Sequence, residues 1–587
     1  MTAATSLDRA TEPATAVEPD RLARARPHWP LAAILGVFLL SMFIVPTLAG
    51  VAISDDWVFM WSAERLVDTG KLEVHPLVSP HLVFQAVWGA LFGVLFGASP
   101  GVFRLSTVVL WLLGGIAFYG IVWELTARRG LSALGAAAYL FNPLGYALAF
   151  TFMTDVPLTS LTVIALYCAV RAVRHGIEDR WLLAGSAVGA CALLVRQPGI
   201  FIPVGVLAAL LLSGRLPLRL TRRSVVVALE VGALPLLAYL AYRWWLLNVN
   251  GVPAVQSLME EQLLEGGWGA LGTQAERLVA IEAGYIGLFV LPLTLGAALY
   301  LRPLAAGVRP RAWVAFVVWL VVVLAGMAAL RALGMRMPYV PHFLSVAGIG
   351  PNDLLVSRAA LAGQWFFTAL TLLCAASAVV AGFLVIRALG IRRPSANATM
   401  VLVAFAIQAV LVVIVSTHFR YWTVAGLPAP SLDRYLLPLL PLSIALTLWA
   451  VRDVRAHLPL AWYATGVLAL FAVIGTRDNI AFHQAQWEVA REAADSGIPL
   501  TQLDGGGSWT GYYLGERSYA ERGIHTNNGD PRWWLTLYGS IVDPEYTVAA
   551  TELPGYTTVS RYPYDLWLDS RPTALYLLHR DEGPGAP

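Results

Sequence analysis

The chain has 587 residues, 58% of them hydrophobic and only 13% charged, where an ordinary soluble domain carries about 25% charged residues. A net charge of +3 is too small to imply a nucleic-acid partner, and no basic cluster is interleaved with aromatics, so none is expected. The three cysteines, Cys168, Cys191 and Cys374, all fall in apolar runs, so neither a disulfide framework nor a metal-ligand spacing is present.

Residues 1–28 are rich in Ala, Thr, Pro and charge and lack a signal-peptide cleavage pattern. They are expected to form a disordered cytoplasmic tail, with Arg21, Arg24 and Arg26 holding that end inside. Arginine clusters at 128–129, 171–180, 215–223, 302–311, 387–393 and 452–455 then mark cytoplasmic turns, with room for two spans between neighbours. The expected spans are 31–52, 102–125, 131–150, 157–173, 181–196, 199–213, 224–246, 283–301, 312–331, 362–386, 399–416, 435–451 and 458–475, about 13 crossings by length and charge. The apolar stretch 81–98 is read as an interfacial or re-entrant helix in the first outer loop, because a further span there would turn Arg128 and Arg129 outward.

An odd number of spans places residues 476–587 outside. That tail reads as a small α+β domain, with a helix over 477–495 and strand-like runs at 498–504, 546–552, 556–561 and 574–579, separated by turns such as DGGG and NNGD. The expected organisation is a tail at 1–28, a transmembrane domain at 29–475 and an extracytoplasmic α+β domain at 476–587.

This topology collects charge on one side. The first outer loop brings Asp55, Asp56, His75, His81 and Arg104; the second brings Thr154 and Asp155; the third brings Arg196 and Gln197; the last brings His418, Arg420, Asp433, Arg434 and Tyr435. Charge at the depth where helices end is costly and usually functional. Structural roles remain open for several of these groups. Asp155 before Val-Pro can N-cap the next span, Arg196 can snorkel to headgroups, and Asp433 with Arg434 can form an interfacial ion pair. Adjacent carboxylates in an extended stretch point opposite ways, so one of Asp55 and Asp56 is expected to act and the other to anchor. Loop histidines such as His75 and His81 are more often satisfied structural groups. Trp509, Tyr512, Trp533 and Trp534 in the tail suit either sugar stacking or a core.

These residues, in this order, resemble the GT-C superfamily of integral-membrane glycosyltransferases, and within it the protein O-mannosyltransferase and aminoarabinose transferase group. The matching segments are SDDW at 54–57, SPGVFRLSTVVL at 99–110, TDVP at 154–157 and DRYLLPLLP at 433–441, with tail segments LDGGGSWTGYY at 503–513 and LPGYTTVSRYPY at 553–564. Two departures stand out: the acidic pair is Asp-Asp where the family often has Asp-Glu, and its His-Pro-Pro-Leu stretch is reduced to HPL at 75–77. No Asp-x-Asp motif stands in the outer loops, so no metal cofactor is expected.

The resemblance implies a polytopic helical fold and an inverting transfer of sugar from a polyprenyl-phosphate donor to a hydroxyl on a protein, lipid or glycan. Asp55 is then the expected base, with Asp56 or Asp155 orienting the acceptor or the loop. Arg104, Arg196, Arg434 and Tyr435 are expected at the donor phosphate, and His75, His81 and Gln197 are candidate substrate contacts. The implied setting is the inner membrane of a bacterium. The rival classes are a transporter or lipid flippase, which usually shows internal repeats absent here, and a membrane scaffold, which leaves the acidic pair unexplained.

Overall fold

The computed structural model describes residues 28–581 apart from 175, 266–268, 306–307, 419–422, 425–426, 429–431, 455 and 525–531. The tail expected at 1–28 lies outside the described residues except for His28, and so does Arg420.

Among the described residues, nine helices are long and apolar enough to cross a bilayer, the first Pro100–Thr126 and the last Leu458–Asp495. The protein is a polytopic α-helical membrane protein. The other four segments expected to span are present as shorter helices. Trp29–Ser41 has 13 residues and ends before Pro46. The 131–150 segment breaks into Arg129–Leu140 and Pro143–Ala149. Pro143 has no N–H to continue the first helix, and the Asn142 side chain starts the second by accepting from the Leu144 N–H at 3.1 Å. Asp179–Val195 has 17 residues, and beyond Pro198 the Phe201–Leu212 helix has 12.

The 81–98 stretch folds as Val83–Phe96, 14 residues. At 1.5 Å per residue it reaches about 21 Å, short of the roughly 30 Å hydrocarbon core. It is tied inward by Gln85, whose Nε2 donates to the Phe152 carbonyl at 2.6 Å.

The Leu458–Asp495 helix has 38 residues, or about 57 Å, so it outruns the bilayer. The 475/476 division falls inside it. Its far half becomes the central helix of the C-terminal domain, packed on a four-stranded sheet in the order Leu503–Asp504, Tyr546–Ala549, Thr573–Arg580, Tyr556–Tyr564. The first pair is parallel and the others antiparallel.

Buried carboxylates hold this domain together and fasten it to the bundle. Asp478 accepts from the Trp567 and Leu568 N–H groups at 2.9 and 2.8 Å. Asp353, from the long loop before the Gln364–Ile391 helix, accepts from the Ser508 N–H at 3.0 Å and so caps the Gly507–Arg522 helix. Below, the side of the bundle that carries this domain is called the domain face.

Candidate active site

At the domain face the first apolar segment ends in a strained turn. Ser54 has φ 57°, a left-handed backbone that costs a non-glycine residue roughly 1–3 kcal/mol. Asp55 follows it, directly before the Asp56–Thr69 helix. The turn sends the two carboxylates different ways. Asp56 is fully buried, and its oxygens accept from the Ile53 N–H at 2.8 Å and the Phe152 N–H at 3.2 Å. Burial raises its pKa to about 7, against the pull of Arg104 and of those two donors. Asp56 is therefore an anchor between two loops. Asp56→Asn removes one of its two acceptors, and a fall in unfolding free energy of about 1–3 kcal/mol is expected in detergent melts.

Asp55 keeps 17% of its side chain exposed. Ser54 Oγ donates to its Oδ1 at 2.7 Å, and Arg434 Nη2 lies 3.3 Å from Oδ2. Burial raises its pKa, but the Arg434 guanidinium, with the Ser54 hydroxyl, more than offsets this and holds the carboxyl below its ordinary 3.8.

Arg434 and Tyr435 come from the turn that opens the Asp433–Val451 segment. Asp433 secures this turn, since its buried carboxylate accepts from the His342, Phe343 and Leu344 N–H groups at 3.3, 3.0 and 2.6 Å. Two guanidinium groups lie over the Tyr435 ring, Arg434 at 5.3 Å and Arg196 at 5.1 Å from its centroid. Arg196 in turn donates to Asp155 Oδ1 at 2.7 Å and to Thr154 Oγ1 at 3.1 Å. Asp55, Arg434, Tyr435, Arg196 and Asp155 thus form one continuous row. Arg434 Nε and Asp155 Oδ2 are both buried and carry no hydrogen bond among the described residues.

Beside this row, a cleft lined by Leu158, Phe201, Ile202, Ile407, Pro438 and Leu442 runs between helices. Leu158 is one turn beyond Asp155, and Pro438 one turn beyond Arg434. The cleft therefore leads from the row of charges into the apolar part of the bundle.

The remaining candidates lie elsewhere. Arg104 is fully buried, and its guanidinium donates to the carbonyls of Thr47, Ala49 and Val51 at 2.9, 3.1 and 2.8 Å. It braces the turn that carries Asp55 and is not part of the arginine row. His81 holds the Leu193 carbonyl at 2.7 Å and packs on Tyr242. Gln197 donates to the Ser79 carbonyl at 2.8 Å. His75 sits among Trp57, Trp61 and Tyr519. Burial lowers the pKa of both histidines to about 4, so each is neutral at physiological pH. The His418 side chain lies outside the described residues. Trp509 and Trp534 belong to the core of the C-terminal domain, while Tyr512 is exposed.

Three groups beside Asp55 were not read from the sequence. They are Ser54, His342, whose Nε2 is 3.3 Å from Ser54 Oγ, and Tyr538, which packs edge-on against Trp57 at 5.2 Å. Tyr538 belongs to the C-terminal domain, which also closes on Trp57 from above. A Cβ on Gly511 or Gly515 would come within 2.3 Å of that indole. Gly511→Val is expected to lower stability by about 1–3 kcal/mol through overpacking, visible as a drop in Tm that Trp57→Ala relieves in the double variant.

Residues 74–245 match the dolichyl-phosphate-mannose-protein mannosyltransferase family. The match agrees with the resemblance read from the sequence, and it includes Asp155 and Arg196. Among solved structures, apo ArnT from Cupriavidus metallidurans aligns at 15% identity and TM-score 0.38, covering 94% of this chain and 99% of that one. ArnT bound to undecaprenyl phosphate aligns at 14% identity and TM-score 0.36, covering 95% and 100%. The oligosaccharyltransferase AglB from Archaeoglobus fulgidus, in complex with an inhibitory peptide and a dolichol-phosphate, aligns at 12% identity and TM-score 0.41, covering 86% of this chain and 60% of that one. No curated protein sequence matches the chain.

Proposed function

We propose that the protein is an inverting glycosyltransferase that takes a sugar from a polyprenyl-phosphate donor and places it on an acceptor hydroxyl. The observation that carries this reading is the row of Asp55, Arg434, Tyr435, Arg196 and Asp155 at the head of an apolar cleft. An amphiphile with one charged head fits it, with the tail in the cleft and the phosphate at the arginines. Guanidinium groups meet a phosphate bidentately and keep their charge at any working pH. In this reading they, rather than a metal, neutralise the leaving group.

The chemistry assigns each group a step. The acceptor oxygen attacks the anomeric carbon from the side opposite the phosphate while its proton passes to Asp55 Oδ2. The C–O bond to phosphate breaks and its electron pair stays on the phosphate oxygen, where Arg434 Nε and Arg196 stabilise it. Asp155 keeps Arg196 in place. In this reading the site and the C-terminal domain face the extracytoplasmic side of a bacterial inner membrane, and the arginine clusters on the opposite face support that orientation.

The test supplies membranes containing the protein with a panel of radiolabelled polyprenyl-phosphate sugars. One donor is expected to lose its label to an acceptor, and Arg434→Ala to cut that transfer about 10²–10³-fold, the usual cost of removing a donor from a developing oxyanion. If wild type consumes none of the panel, the reading fails. A flippase, by contrast, would move a labelled lipid across vesicles without cleaving it.

A further inference from the structure

We infer that His342 is a positioning residue for Asp55, acting through Ser54 to aim and bias the carboxylate for its role as base. This inference rests on the reading of Asp55 proposed above. Its ground is a directed chain of hydrogen bonds. Ser54 has a single hydroxyl proton, which goes to Asp55 Oδ1 at 2.7 Å. The 3.3 Å contact between Ser54 Oγ and His342 Nε2 must then be donated by the imidazole. The order is His342 Nε2–H to Ser54 Oγ–H to Asp55 Oδ1, so the acceptor proton goes to Oδ2, which Arg434 Nη2 meets at 3.3 Å.

Both ends of this chain are held at a cost, which points to a use. Ser54 sits in the left-handed region, where glycine would be relaxed. His342 is presented by a loop whose backbone donors are drawn onto the buried carboxylate of Asp433. Burial, aided by the Arg434 charge, lowers the His342 pKa to about 3, so the ring is neutral and donates as a dipole rather than a cation. The groups facing Asp55 are thus Arg434 from the last spanning segments, His342 and Ser54 from two loops, the adjacent Asp56, and Tyr538 from the C-terminal domain. Among the described residues, only Ser54, and His342 through it, act on Oδ1 without also holding the donor phosphate.

The strained serine separates a positioning role from a structural one. Ser54→Gly relaxes the backbone and deletes the hydroxyl. It should keep or raise Tm while lowering kcat about ten- to a hundred-fold, the worth of a hydrogen bond to a charged group, with little change in KM for the donor. Having lost a donor, the carboxylate should protonate more readily, so the acid limb of kcat moves to higher pH. His342→Ala should act in the same direction, and His342→Gln, which retains an N–H donor, should recover most of the loss. Because the two residues form one chain, Ser54→Gly/His342→Ala should be no worse than Ser54→Gly alone.

An unchanged kcat and acid limb in Ser54→Gly, or additive losses in the double variant, overturns the inference. The proposed reaction fails separately, through absence of turnover in wild type. In that event the carboxyl stretching band lost in Asp55→Asn still reports on the chain. Its titration must move to higher pH in Ser54→Gly, and a fixed midpoint overturns the inference on its own.

Discussion

Replacing Asp55 by Asn is expected to reduce sugar transfer about 10²–10⁴-fold, the usual contribution of a positioned general base, while leaving Tm close to that of wild type. The amide keeps the size of the side chain and still accepts the Ser54 hydroxyl, so the turn survives. What it loses is the capacity to take a proton. Binding of polyprenyl phosphate without sugar should persist or strengthen, because Arg434 is released from its partner 3.3 Å away. A variant that transfers at the wild-type rate would remove Asp55 from the mechanism. The pH profile adds an independent check. Since the Asp55 carboxyl is held below 3.8 by Arg434 and Ser54 against the effect of burial, kcat should stay flat as pH falls through the range where an ordinary aspartate takes up its proton. It should decline only below it.

Arg104→Met should be the most destabilising substitution at the domain face, by an expected 3–5 kcal/mol. That estimate takes about 1–3 kcal/mol for each buried carbonyl left without a donor and allows for partial relaxation. Thr47, Ala49 and Val51 all lose their donor at once, and Asp56 loses a neighbouring positive charge. Arg104→Lys should recover only part of this, because an ammonium on a flexible stem cannot reach three acceptors in the geometry of a planar fork. Thermal unfolding in detergent measures both variants. If Arg104→Met melts with wild type but loses donor binding, Arg104 belongs with the phosphate after all.

The contrast between Arg104 and Arg434 shows where sequence reading ends. Each is an arginine at the end of an apolar segment, and hydropathy treats them alike. One closes on backbone carbonyls of the segment that leads to Asp55, while the other pairs with the Asp55 carboxylate itself, 379 residues away. The adjacent pair Asp55–Asp56 is a similar case. Alternation of side chains predicts that the two diverge, but burial decides that Asp56 is the enclosed one and Asp55 the accessible one. His342 left no trace at all in the sequence, since a histidine in a Pro-rich loop carries no periodicity and gains its neighbour only when Asp433 draws the loop in.

The sequence by itself determined that the chain is a multi-helix membrane protein, which loops carry charge, and that an acidic pair stands at the end of the first apolar run. These are local properties, because the bilayer acts on each segment through its own length and hydropathy. Tertiary structure alone decided which arginine pairs with Asp55 and which with Asp155, which of the two adjacent carboxylates stays accessible, and that a serine and a histidine stand behind it. Hydrogen bonds and ion pairs act over a few ångströms, so their partners exist only once segments distant in the chain have packed together.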